Sequence, residues 1–184
     1  MKSLQVSMTD VRHNFSLKNK ISRVLWKIVY ILFFKPFSLR VFRKWRTFLL
    51  NLFGAQVDYT CIVHANVKIW APWNLIMEPY SCLGPNVDCY NQGKVTIKKN
   101  AIVSQKTYLC ASSHDFTKIT HPLFTDPIVI EEKAWVAADA FIGPGVTIKK
   151  GAVVGARAGV FKNVEEWTVV GGNPAKFIKK RVLN

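Results

Sequence analysis

The side chains best suited to acid–base or metal chemistry are four histidines, at 13, 64, 114 and 121, and four cysteines, at 61, 82, 89 and 110. A neutral imidazole accepts a proton near pH 7, which suits a general base. His114 ends the run YLCASSH at the border of residues 115–127 (DFTKITHPLFTDP), a segment unlike its surroundings. Asp115 follows it and either caps a turn or orients an imidazole. His121, inside the segment, is structural or substrate-adjacent, and His13 and His64 are background. Four histidines so widely spread do not make a three-histidine zinc site. Without CxxC spacing the cysteines suggest neither a zinc knuckle nor a disulfide framework. They are expected as buried thiols in a reducing compartment.

The scaffold around these residues has a period of six. Positions 130, 136, 142, 148, 154 and 160 are Ile, Val, Ile, Ile, Val and Val, and the residue four further on is Ala or Val each time. Val, Ile and Leu make up 48 of 184 residues, so six such matches arise by chance in roughly three cases per ten thousand. A six-residue step carries a side chain far round an α-helix, but it suits a solenoid with one flat face per hexad. Branched residues would point inward and small ones fill the corners, with Gly143, Gly145, Gly151, Gly155 and Gly159 at the turns. The phase continues backward through residues 57–75, 83–95 and 97–109, slipping near 81–83 and 95–97. Residues 115–127 fit no hexad, and a loop protruding from a regular scaffold is a place for function. A passive β-solenoid is the alternative.

Ahead of the repeat lies a basic arm. Residues 1–50 carry 11 Lys/Arg against one acid, Asp10, within a chain of net charge +15. Residues 1–20 are polar and expected to be loosely held. Two helices are expected at 21–34 and 38–53, divided at Pro36. The first is shorter than the ~20 residues a spanning helix needs. In the second, Leu39, Phe42, Trp45, Leu49 and Leu52 share one face. The arm either lies on an anionic membrane surface or caps the solenoid, and the two are compatible. Basic residues interleaved with bulky aliphatics, without a recognition motif, do not point to nucleic acid. No signal peptide is evident in the first 20 residues, so a cytoplasmic protein is expected, with peripheral contact at the inner membrane face.

The runs YLCASSHDF (108–116), PIVIEEKAWVAADAFIGPGVTIKKGAVVGARAGVFKNV (127–164) and VVGGNPAKFIKKR (169–181) resemble the hexapeptide-repeat acyltransferases. Within them the chain looks like the colanic acid biosynthesis acetyltransferases, relatives of the galactoside, maltose and nodulation-factor enzymes. The N-terminal run WKIVYILFFKPFSLRVFRKWRTFLLNLFGAQV is similar to the arm of that group. The resemblance implies a left-handed parallel β-helix over 54–166, an arm over 1–53, and a segment over 167–184 that leaves the coil as a short helix or extended tail. It also implies a homotrimer with active sites between subunits, and acetyl-CoA as donor; the spread of the histidines gives no reason to expect a metal.

His114 matches the family's catalytic histidine. Ala138 and Ala156 match positions along the pantetheine arm, Phe161 and Lys162 the next cofactor-contacting pair, and Lys176 and Lys179 basic positions facing the nucleotide phosphates. Lysine there supplies point charges where some relatives use the forked arginine. Trp135 would pack at a subunit seam or stand at an exposed corner. Asn86, Asp88 and Asn91 are candidates for a saccharide acceptor, or ordinary turn residues. The expected activity is O-acetylation of a saccharide hydroxyl in exopolysaccharide or glycolipid synthesis. N-acylation of an amine and a non-catalytic scaffold are the alternatives.

Overall fold

The computed structural model describes residues 15–183. From Gln56 onward the chain winds into a three-sided coil of short strands, each hydrogen-bonded in parallel to the strand one coil away. Face A stacks strands at Gln56–Val57, Leu75–Met77, Val95–Ile97, Ile128–Ile130 and Thr147–Ile148. Face B runs from Ile62–Val63 to Thr168–Gly171, and face C from Lys68–Ile69 to Gly159–Val160. This is a parallel β-helix whose interior is the column of branched residues read from the hexads. Ile130, Val136, Ile142, Ile148 and Val154 are fully buried. Each such side chain contributes about 1.5–3 kcal/mol relative to exposure. Ala134, Ala140, Ala152 and Ala158 fill the corners, each no more than 1 % exposed.

The corners correct the expectation for glycine. Gly145 and Gly151 do hold left-handed backbone (φ 74° and 65°), but Lys133, Asp139 and Arg157 occupy the equivalent positions without glycine. Gly143, Gly155 and Gly159 are not in that region.

Partner residues on adjacent coils lie 18 positions apart late in the chain, as in Trp135↔Val153, and 20 apart early, as in Ile62↔Cys82. The two extra residues enter at the corner between faces C and A. The slip expected near 81–83 therefore belongs one corner earlier, where a 3-10 turn spans Pro72–Asn74. Leu75 and Met77 both point inward, so this strand fits either phase of the hexad.

The arm forms α1 (Leu17–Val29), a π-helical turn (Tyr30–Phe34), a 3-10 turn (Arg40–Phe42) and α2 (Arg43–Leu52). The Ser16 hydroxyl caps α1 by accepting from the Asn19 amide, so the first helix starts four residues before the expected 21. Residues 1–14, including His13, lie outside the described part. Trp26 docks the arm by donating its indole N–H to the Ile69 carbonyl (2.8 Å). Arg46 does so by donating to the Val63 carbonyl, and it ties the arm to itself by donating to the carbonyls of Phe37 and Leu39. Those bonds rotate α2 so that Arg46, Thr47, Leu49 and Leu50 face the coil. The shared apolar face is turned mostly outward: Leu39 and Leu52 are 66 % exposed and only Leu49 of the five is buried.

The tail also departs from expectation. Thr168–Gly171 continues face B beyond residue 166, because buried Val170 prolongs the inward column after Val164. The chain then turns at the cis Asn173–Pro174 peptide and pairs back antiparallel as Lys176–Lys180.

Candidate active site

The segment that breaks the hexads is a β-hairpin. Ser112–His114 pairs antiparallel with Leu123–Thr125, in the register Ser112↔Thr125, Ser113↔Phe124 and His114↔Leu123. It leaves the coil after Tyr108–Cys110, at the corner between faces C and A, three residues before the expected start of the loop. The base is closed by Asp126 N–H donating to the Ala111 carbonyl (3.1 Å). Gly93 makes room for it, since a Cβ there would sit 2.7 Å from that same carbonyl oxygen.

At the tip, Asp115 accepts from the Thr117 amide and hydroxyl and pairs with Lys118 at 3.2 Å. The Thr117 hydrogen bonds, then Lys118, hold its carboxyl below the usual carboxylate range. Asp115 thus acts as the turn cap. His114, half-buried, places Nδ1 2.6 Å from the His121 carbonyl oxygen. A carbonyl only accepts, so Nδ1 carries the proton, and in the neutral ring the acceptor nitrogen is Nε2. The ring borders a cavity of about 410 Å³ walled by Ser113, Asp115, Phe116, Lys118, Pro122 and Phe124, among others.

A second concavity, about 440 Å³, lies at the corner between faces B and C. Ala138 and Ala156 share it with Gly155, Ser104 and Trp135. Small side chains leave the backbone within reach of an extended ligand there. Trp135, 44 % exposed, stands as a wall, its indole N–H donating to the Ser104 hydroxyl (2.9 Å). A third, about 550 Å³, opens at the C-terminal end of the coil, with Phe161, Lys162, Pro174, Ala175, Phe177 and Lys180 on its walls. Lys176 and Lys179 are exposed on the last strand and do not line it. Lys180 was not singled out in the sequence, where nothing distinguishes it from its neighbour.

The acceptor candidates do not converge on His114. Asn86 sits at a face B–C corner with left-handed backbone (φ 58°), its side-chain oxygen accepting from Asn66 one coil below. Asp88 lies on face C, 3.5 Å from Lys68. Asn91 is fully buried, accepting from the Ala71 amide (3.0 Å) and donating to the Ala71 carbonyl (2.6 Å). Its amide is a clamp on the enlarged corner, which corrects its assignment to a ligand. Of the cysteines, Cys61 and Cys89 are buried and Cys82 and Cys110 half-buried, and burial raises the Cys89 thiol pKa well above its usual range.

No family model matches the chain. It is 43 % identical over 173 residues to the colanic acid biosynthesis acetyltransferase WcaF of Escherichia coli (strain K12), covering 94 % of each chain. A hexapeptide-repeat acetyltransferase of Vibrio cholerae, solved with acetyl-coenzyme A, superposes with a TM-score of 0.78 at 22 % identity, covering 94 % of this chain and 95 % of that one. A maltose O-acetyltransferase of Clostridium difficile 630 superposes with a TM-score of 0.79 at 21 % identity, over 91 % and 90 % of the two chains. The parallel coil and the 43 % identical relative, matched over 94 % of each chain, agree: the chain is an acyltransferase that belongs to the hexapeptide-repeat acetyltransferases.

Proposed function

We propose that the protein transfers the acetyl group of acetyl-CoA to a saccharide hydroxyl, with His114 as general base. The observation that carries this reading is the 2.6 Å contact from His114 Nδ1 to the His121 carbonyl, which leaves Nε2 as the proton acceptor. Nε2 takes the proton of the acceptor hydroxyl as its oxygen attacks the thioester carbonyl. The tetrahedral oxyanion is held by main-chain N–H groups. Its collapse breaks the C–S bond, and the proton passes from the imidazolium to the departing sulfur. No acyl-enzyme is needed. The saccharide class is supported by the names of the relatives, two of which refer to colanic acid and maltose.

The same reading includes a homotrimer. The His114 hairpin leaves at the corner between faces C and A, whereas the Ala138–Ala156 groove lies at the corner between faces B and C. Within one chain face C separates them. A threefold assembly sets the hairpin of one subunit across the groove of the next, so that thioester and base meet at the seam.

The test is acetyl-CoA turnover against a panel of oligosaccharides, followed by thiol release. An ester product is cleaved by alkaline hydroxylamine and an amide is not, which separates O- from N-transfer. A folded protein that neither binds acetyl-CoA nor releases CoA with any acceptor would sink the proposal.

A further inference from the structure

The arm presents an apolar surface that the solenoid does not use. Of the 26 exposed large apolar side chains in the described chain, 13 fall within residues 17–52. On α1, Ile21, Leu25 and Ile28 are about half exposed (48–52 %), while Trp26 on the opposite side is 3 % exposed and docked on the coil. On α2, Phe48 and Leu52 point outward at 44 % and 66 %. Trp45 of α2 donates its indole N–H to the Phe33 carbonyl (2.8 Å), tying α2 to the π-helical turn that prolongs α1. At ~100° per residue, Lys18 lies on one flank of the α1 apolar face and Lys20 and Lys27 on the other. All three are exposed, as are Lys35, Arg40 and Lys44.

We infer that this face lies in the plane of an anionic lipid bilayer, with its apolar side chains inserted and its lysines at the headgroups. Charge decides the occupant. From residue 15 to 57 the chain carries nine Lys/Arg and no Asp or Glu. Two copies of that surface placed together repel, whereas anionic headgroups neutralise it. Its geometry sets the depth. No helix of the described residues is long and apolar enough to cross a membrane, and α1 and α2 have 13 and 10 residues. An amphipathic pair of that length binds at the interface, its lysine stems reaching up to the headgroup phosphates. The solenoid then stands on its first coil. The His114 hairpin leaves the third coil, about 10 Å further along at ~4.8 Å per coil.

The experiment is co-sedimentation of the full chain with phosphatidylcholine vesicles, with and without phosphatidylglycerol, alongside sedimentation equilibrium without lipid. Wild type is expected to pellet with the anionic vesicles. Each lysine near such a surface contributes about fivefold. The variant Lys18→Ser/Lys27→Ser/Lys44→Ser should therefore lose on the order of 10²-fold in partitioning. Ile21→Ser/Leu25→Ser/Ile28→Ser should abolish pelleting while acetyl-CoA binding and near-UV circular dichroism stay those of wild type. Equal partitioning into both vesicle types, or none into either, overturns the inference. So does a lipid-independent assembly that the apolar variant dissolves, which would make a second copy the occupant.

Discussion

The imidazole of His114 meets the main chain of His121: Nδ1 lies 2.6 Å from the carbonyl oxygen seven residues along, across the hairpin tip. The two histidines should therefore respond differently to substitution. His114→Ala is expected to lower kcat by about 10²–10⁴, the usual contribution of a general base, with the acetyl-CoA dissociation constant unchanged. His121 has left-handed backbone (φ 41°), which asparagine tolerates, so His121→Asn keeps the carbonyl in place. Turnover within a few-fold of wild type is expected for it. A loss as large as that of His114→Ala would place the His121 imidazole in the reaction.

The Ala138–Ala156 groove owes its depth to small side chains. Filling it should act on the donor rather than on the chemical step. Ala156 is exposed, so Ala156→Leu costs the fold little. It is expected to raise KM for acetyl-CoA by about tenfold or more while kcat stays within a few-fold. An unchanged KM would put the pantetheine arm elsewhere.

What was legible in the sequence follows from where a residue type is forced. The interior of a coil admits only branched or small side chains, so residues 130–160 could be placed inside or at corners directly. The enlarged corners were misplaced because Leu75 and Met77, like Val95 and Ile97, both face inward. The apolar pattern of α2 leaves open which side of it meets the coil. Leu39, Trp45 and Leu52 form the better apolar stripe, but three carbonyls around Arg46 set the rotation, and no side-chain pattern records a carbonyl's position. Asn91 was assigned to a ligand because a clamp for one buried peptide group has the same composition as a sugar-binding turn. His114 is singled out only by its resemblance to a motif, and the carbonyl that fixes its tautomer has no signal in the sequence at all.

The lysines of the tail fall into two sets. All four are exposed, but Lys162 and Lys180 line the cavity at the end of the coil, whereas Lys176 and Lys179, on the same strand as Lys180, do not. Exposed charges are screened and worth at most about 1 kcal/mol each. Reversing Lys176 and Lys179 is expected to weaken acetyl-CoA binding only a few-fold, an effect that disappears at ~0.5 M salt. Lys162→Glu/Lys180→Glu should weaken it by about tenfold or more, because a ligand seated in that cavity meets both ammonium groups directly. Calorimetry on both pairs decides. The reverse order would return the phosphates to Lys176 and Lys179.

Acid should loosen the seam between arm and solenoid. His64 is half-buried, and burial, then the guanidinium of Arg46, push its pKa below the usual imidazole value. In the unfolded chain it takes up a proton below about pH 6.5. The folded state resists that proton, so the unfolded state binds more of them over this window and stability falls as pH drops. The stability is fully present above the unfolded pKa and is lost as pH falls through the folded one. The melting temperature of wild type is therefore expected to fall between pH 7.5 and pH 5 by more than that of His64→Gln. Equal losses would mean that protonation elsewhere accounts for the whole change. A His64→Gln protein that stays firm in acid would assign the weak point to the seam where Arg46 grips the Val63 carbonyl.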